Sequence, residues 1–150
     1  MKISNGFDIS ASALSAQRLR MDVISSNIAN AETTRGKLVN GKFQPYARKM
    51  VVFEPMNQSS FASRLSAAMG EQPAQGVKTV KIVEDKTPFK PVYNPSHPDA
   101  DENGFVMMPN VDPLKEMVDM ITATRSYEAN VTALNASKSM VMKALEIGRA

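Results

Sequence analysis

Apolar residues recur along the first part of the chain with helical spacing. Phe7, Leu14, Met21 and Ile28 follow one another at intervals of seven, which on a helix aligns them on one stripe suited to a partner helix. At about 100° per residue, Ile9, Ala16, Leu19 and Val23 gather on a second face, roughly opposite the first. A helix with two apolar faces needs more than one neighbour. The far end of the chain repeats the arrangement. Met117, Met120, Thr124, Tyr127, Val131, Leu134, Lys138, Val141 and Leu145 step by threes and fours as a heptad seam does, with Thr124 and Lys138 as its polar positions. Beside them, Val118, Ala129, Ala133, Ala136, Met140, Ala144 and Ile147 form a strip of small or slim residues that lets another helix approach closely. Asp112 is placed to cap this second helix, and Pro113 suits its first position, where no amide donor is needed. Gly148 is a natural stop.

Between the two ends the pattern changes. Gly36, Asn40 and Gly41 break the helical period after Thr34, and the run Met50 to Phe53 is apolar and β-prone. Val77 to Val83 and Phe105 to Met108 predict two further strands. Phe61, Leu65, Ala68 and Met69 predict a short helix between Ser59 and Met69, cut off by Gly70, Pro73 and Gly76. Pro88, Pro91, Pro95 and Pro98 forbid helix and impose a stiff, extended path. That path suits either a docking arm laid on a neighbour or a rigid connector.

Composition narrows the possibilities. At 150 residues the chain holds one ordinary domain, and the two terminal segments leave a centre of about 75 residues to form a core. The 18 Lys and Arg residues, which give a net charge of +3, are scattered among 15 acids. There is no basic run or aromatic-studded basic strip, so the pattern argues against nucleic acid. No apolar stretch approaches the ~20 residues that cross a bilayer, and a cleavable signal is not expected. Zero cysteine excludes disulfides, thiol catalysis and cysteine-ligated zinc together. The 11 Met residues are compatible both with adaptable helix faces and with plain core filling.

Candidate chemistry is sparse. Asp99, Asp101, Asn103 and Gly104 copy the first half of a calcium-binding EF-hand loop, with Val106 at its apolar position. The twelfth position is Asn110 where a bidentate Glu belongs, and the upstream prolines exclude the entering helix. A solvated turn is the expectation, with no metal and no cofactor. His97, the sole histidine, is compatible with an acid/base pair with Asp99 or Asp101 and equally with a surface-loop role. There is no phosphate loop or nucleophile elbow, and acids such as Asp119 sit one turn from a base, here Lys115. Nothing supports an enzyme. Asn27, Asn30, Asn130 and Asn135 are of the type that sets register between helices, or else they face solvent.

Three stretches carry a resemblance: SSNIANAETT from Ser25 to Thr34, PYARKMVVF from Pro45 to Phe53, and PNVDPLKEMVDMITATRSYEANVTALNASKSM from Pro109 to Met140. Together they resemble the flagellar rod and hook axial proteins, and the long C-terminal motif with the PYARK segment points to the proximal rod. The resemblance implies an α+β fold. Long N- and C-terminal helices (residues 1–34 and 111–150) pair as an antiparallel coiled coil, and residues 35–110 form a small β-rich central module. It implies export without a cleaved signal through the flagellar type III apparatus, and folding in the periplasm as part of the basal-body rod. Expected neighbours are other copies, the rod proteins FlgB, FlgF and FlgG, and the base adaptor FliE. The expected assembly residues are Phe7, Leu14, Met21, Asn27, Ile28, Asn30, Met117, Met120, Tyr127, Asn130, Val131, Leu134, Val141 and Leu145. The alternative is a monomeric coiled-coil adaptor or export-linked regulator, whose helices pair only with each other.

Overall fold

The computed structural model describes residues 4–39, 41–56, 65 and 76–148. Among the described residues, helix α1 spans Ser4–Ala29 and helix α2 spans Pro113–Ile147, with six short strands between them: β1 Lys37–Val39, β2 Lys42–Gln44, β3 Lys49–Pro55, β4 Val77–Glu84, β5 Lys90–Tyr93 and β6 Phe105–Met108. The class is α+β. The helix expected between Ser59 and Met69 falls, apart from Leu65, outside the described residues.

α1 ends five residues before Thr34, and the cause is local. The Asn30 side-chain amide donates back to the Ser26 carbonyl at 2.8 Å, and the Thr33 hydroxyl donates to Asn30 Oδ1 at 3.3 Å. An Asn that bonds neighbouring backbone in this way offers an alternative to continued helix. α2 begins as expected: the Asp112 carboxylate accepts from Leu114 N at 3.1 Å, and its carbonyl accepts from Glu116 N at 3.0 Å. It ends at Gly148, whose N–H donates to the Ala144 carbonyl at 3.1 Å.

On α1 burial reaches Ala16 and Val23 of the second expected face, and on α2 the buried stripe differs in phase from the expected seam. On α1 the buried side chains are Ser10, Ala16, Val23, Ile24 and Asn27, while Phe7, Leu14, Met21 and Ile28 are half-buried. On α2 the only buried positions are Glu116 and Ala123, and Met120, Tyr127, Asn130, Leu134, Ser137 and Val141 continue their row half-buried. Met117, Lys138 and Leu145 of the expected seam are exposed. The row therefore runs one residue earlier at alternate steps, because a charged residue, Glu116, is held inside where an apolar one was expected.

The strands form three separate two-stranded ribbons, β1 with β2, β3 with β4 and β5 with β6. β1 and β2 pair antiparallel with Val39 opposite Lys42, and Gly41 takes φ 77°, a conformation that favours glycine in a tight hairpin. In the β3–β4 ribbon, Met56 N donates to Gly76 O at one end and Asp85 N donates to Arg48 O at the other, both at 2.7 Å, so these strands are antiparallel too. β5 lies within the proline-rich stretch. Pro91 stands opposite Met107 in its ladder with β6, which a ribbon tolerates because each strand is an edge. That part of the stiff path is neither a free arm nor a connector but half of a hairpin. β1, β2 and β5 are three or four residues long, too short to give an alternating pattern.

The chain forms two compact units. One comprises residues 1–19, 52–81 and 123–150, and the other residues 20–51 and 82–122. In the first, Val77 N donates to Ser12 Oγ at 3.1 Å, tying β4 to α1. In the second, Val106, Pro109 and Val111 are buried beside the polar residues described below. Gly36 N donates to Gln44 O at 2.9 Å, and a Cβ on Gly36 would lie 2.7 Å from the Tyr46 backbone. Gly36→Ala is expected to force that backbone apart and to destabilise the chain by about 1–3 kcal/mol, read from denaturant unfolding of both variants.

Candidate assembly site

The second unit is organised by a buried polar knot. Glu116 and Asn27, each 1% exposed, are among the most completely buried side chains in the molecule. Burying a carboxylate costs several kcal/mol unless charge and hydrogen bonds replace water. Here Arg48 Nε donates to Glu116 Oε1 at 2.6 Å, and Asn27 Nδ2 donates to Glu116 Oε2 at 3.0 Å. Both carboxylate oxygens are occupied. The other guanidinium nitrogens of Arg48 reach Asp85 at 3.7 Å and Asp119 at 3.5 Å, and Arg20 approaches Asp119 at 3.8 Å. Burial works against the Arg48 charge, but the hydrogen bond to Glu116 and the carboxylates of Glu116, Asp85 and Asp119 outweigh it and raise the arginine's pKa. Asp119 thus turns to these two arginines and not to Lys115, the partner expected from helix spacing.

Asn27 uses its whole hydrogen-bonding capacity. Its Nδ2 donates to Lys49 O at 2.9 Å as well as to Glu116, and its Oδ1 accepts from Lys49 N at 2.9 Å and from the Tyr46 hydroxyl at 3.0 Å. With its proton given to Asn27, the Tyr46 hydroxyl accepts from Ser26 Oγ at 3.3 Å. The amide thus pairs with Lys49 as a neighbouring strand would. Asn110 bridges two segments: its Oδ1 accepts from Arg48 N at 2.8 Å, and its Nδ2 donates to Thr87 O at 3.1 Å and Thr87 Oγ1 at 2.9 Å.

A smaller ion pair fixes the turn after α1. Arg35 donates to Asp99 through Nε at 2.8 Å and lies 2.6 Å away through an Nη, and Thr34 Oγ1 donates to the other carboxylate oxygen at 2.8 Å. These bonds from Arg35 and Thr34 hold the Asp99 pKa below its ordinary value and raise that of Arg35. Asp85 is lowered as well, first by the Thr87 backbone N–H at 3.0 Å and, against burial, by Arg48. His97 Nδ1 accepts from Asp99 N at 3.1 Å, which ties the histidine into its own turn. Gly104 takes φ 78° where that turn enters β6. Among the described residues no group of acids and histidines is arranged to hold a metal ion.

Of the expected assembly residues, only Asn27 lies in the knot. Asn30, just past the end of α1, bonds back to Ser26 O, and Asn130 bonds to Ser126 O within α2, each at 2.8 Å. Met117 and Leu145 stand exposed, and the others are half-buried along the helices. Sequence reasoning missed Arg48, Glu116, Tyr46 and Asn110. A readable signal existed for Glu116 alone, since it lies seven residues before Ala123 and fourteen before Asn130 on one heptad row.

Two family models meet at this knot. The model described as "Flagella basal body rod protein" matches residues 7–36, and "Flagellar basal body rod FlgEFG protein C-terminal" matches residues 102–147. Similar proteins include the flagellar basal-body rod protein FlgC of Bacillus subtilis (strain 168), 56% identical over 99% of this chain and 100% of its own. The protein of that name from Salmonella typhimurium is 45% identical over 99% and 100%, and that of Borreliella burgdorferi is 40% identical over 98% of each. The chain belongs to the FlgC family of flagellar basal-body rod proteins.

Removing one partner of a buried pair strands the other, so Arg48→Ala is expected to cost about 3–5 kcal/mol. The double variant Arg48→Met/Glu116→Leu should recover much of that in the same denaturation assay. The depressed Asp85 and Asp99 stabilise the fold fully above their unfolded value of about 4 and lose that effect as pH falls through the folded values. The melting temperature should therefore drop on acidification below about pH 4, and Asp99→Asn should flatten that drop in a melting series against pH.

Proposed function

We propose that this chain is a structural subunit of the proximal rod of the flagellar basal body, not an enzyme, and that it builds with other rod proteins a helical shaft that transmits motor torque. The observation that carries this reading is the outer face of α2. Leu114, Val118 and Ile121, and further along Met140 and Ile147, are exposed on one side of the helix. Large apolar side chains left exposed at both ends of one helix face suit an interaction site, and they argue against a helix pair that is complete by itself. Head-to-tail contacts that do not close into a ring generate an open helical assembly.

Within the subunit, α1 and α2 pair as an antiparallel coiled coil. Two contacts support this: Asn27 bonds to Glu116, and a Cβ on Gly6 would lie 3.8 Å from Ser137 Oγ. From Gly6 to Asn27 is 21 residues forward and from Ser137 to Glu116 is 21 residues back, three heptads in opposite directions. FlgB, FlgF, FlgG and FliE are the neighbours this reading assigns. The location is the periplasmic rod, reached through the type III export apparatus without a cleaved signal. No helix among the described residues is long and apolar enough to cross a membrane.

Leu14→Asp and Leu134→Asp each place a charge at a half-buried helix position. Each is expected to abolish incorporation into purified basal bodies while the amount of chain exported stays at the level of the parent. Normal incorporation of either variant would overturn the proposal.

A further inference from the structure

The turn between β5 and β6 carries the sole histidine of the chain, and the turn uses its ring in one protonation state only. Two backbone bonds shape the chain there: His97 N donates to Asn94 O at 3.2 Å, and Ala100 N donates to His97 O at 3.0 Å. Pro98 has no amide hydrogen, so the Asp99 N–H is the first donor after His97, and it donates to His97 Nδ1 at 3.1 Å. A ring nitrogen accepts only when it carries no proton. The bond therefore requires the neutral imidazole with its hydrogen on Nε2.

Asp99 also holds this turn to the segment that follows α1. Its Oδ1 takes Arg35, and its Oδ2 takes the Thr34 hydroxyl. Oδ2 stands 3.9 Å from His97 Nδ1, beyond hydrogen-bond distance. The amide and the carboxylate of Asp99 thus both lie close to one ring nitrogen, and the proton on that nitrogen decides which of them it can bond. The other charges on this side are Arg35 behind the carboxylate, Asp101 on the same turn and Lys42 on β2, the last two lining one cleft with Asp99.

We propose that His97 is a pH-operated switch of this turn. Neutral, it caps the Asp99 N–H. Protonated at Nδ1 by solvent, it releases that amide and donates to Asp99 Oδ2, which it then shares with Thr34. The gap from Nδ1 to Oδ2 has to close by only about 1 Å. Histidine is the side chain whose ordinary titration falls between about pH 5 and 8. Asp99 is held below the usual carboxylate range by Arg35 and Thr34, so it stays ionised as the partner throughout. Acidification thus frees the backbone at Asp99 and makes two cations, the imidazolium and Arg35, share the carboxylate that ties the β5–β6 turn to the exit from α1. The switch lies within one copy and does not depend on the rod reading.

A side chain that accepts without titrating separates a switch from a merely structural role. Asn at this position offers its Oδ1 to the N–H two residues on, as in an Asx turn, at any pH. Amide spectra of the full-length ¹⁵N-labelled chain are recorded from about pH 8 to about pH 5, with the amides of the buried Val106 and Val111 reporting that each variant is folded. In the parent, the Asp99 amide proton is expected to leave its low-field, hydrogen-bonded position on acidification, with the same midpoint as the His97 ring protons. In His97→Asn it should keep that position across the range, and in His97→Ala it should lack it at every pH. An Asp99 amide that stays in place while the ring titrates, or a transition that survives in His97→Asn, would overturn the switch.

Discussion

The structure depends on keeping one carboxylate, that of Glu116, out of water. An unpaired buried charge would open the helix that carries it, so the fold around it is fixed by the need for compensation. Arg48 supplies the charge and Asn27 the remaining donor, and each comes from a different part of the chain. Because Asn27 also takes both backbone groups of Lys49, the helices and the start of β3 cannot slide past one another without breaking several bonds at once. Apolar contact sets no such register. Replacing a buried pair of this kind by apolar residues is often neutral for stability, whereas removing one partner alone is strongly destabilising.

After Ala123 no position of α2 is buried among the described residues, and the helix continues for more than six turns. The three ribbons are each two strands wide. An independent globule would close such surfaces. The open helix face is the surface that assembly is proposed to complete.

The helical period, the caps at Asp112, Pro113 and Gly148, and the strands at β3, β4 and β6 were all legible in the sequence, because each is written in local spacing or in a single residue's stereochemistry. So was the family, since its motifs are contiguous. The hairpins β1–β2 and β5–β6 were not, because ladders of three or four residues are too short to alternate and Pro91 disguises one of them. The seam was read one residue out of phase at alternate steps for a related reason: a heptad drawn through apolar positions passes beside a buried Glu.

By itself, then, the sequence determined two long helices with surplus apolar faces, a β-rich centre and a place among the axial proteins of the flagellum. Only the tertiary structure decided which side of each helix turns inward, and that Arg48, Glu116 and Asn27 belong to one cluster. The physical reason is separation along the chain. Asn27 and Arg48 are 21 positions apart along the chain, and Arg48 and Glu116 are 68 apart. A compensated charge has no local signature until its partners have been brought together.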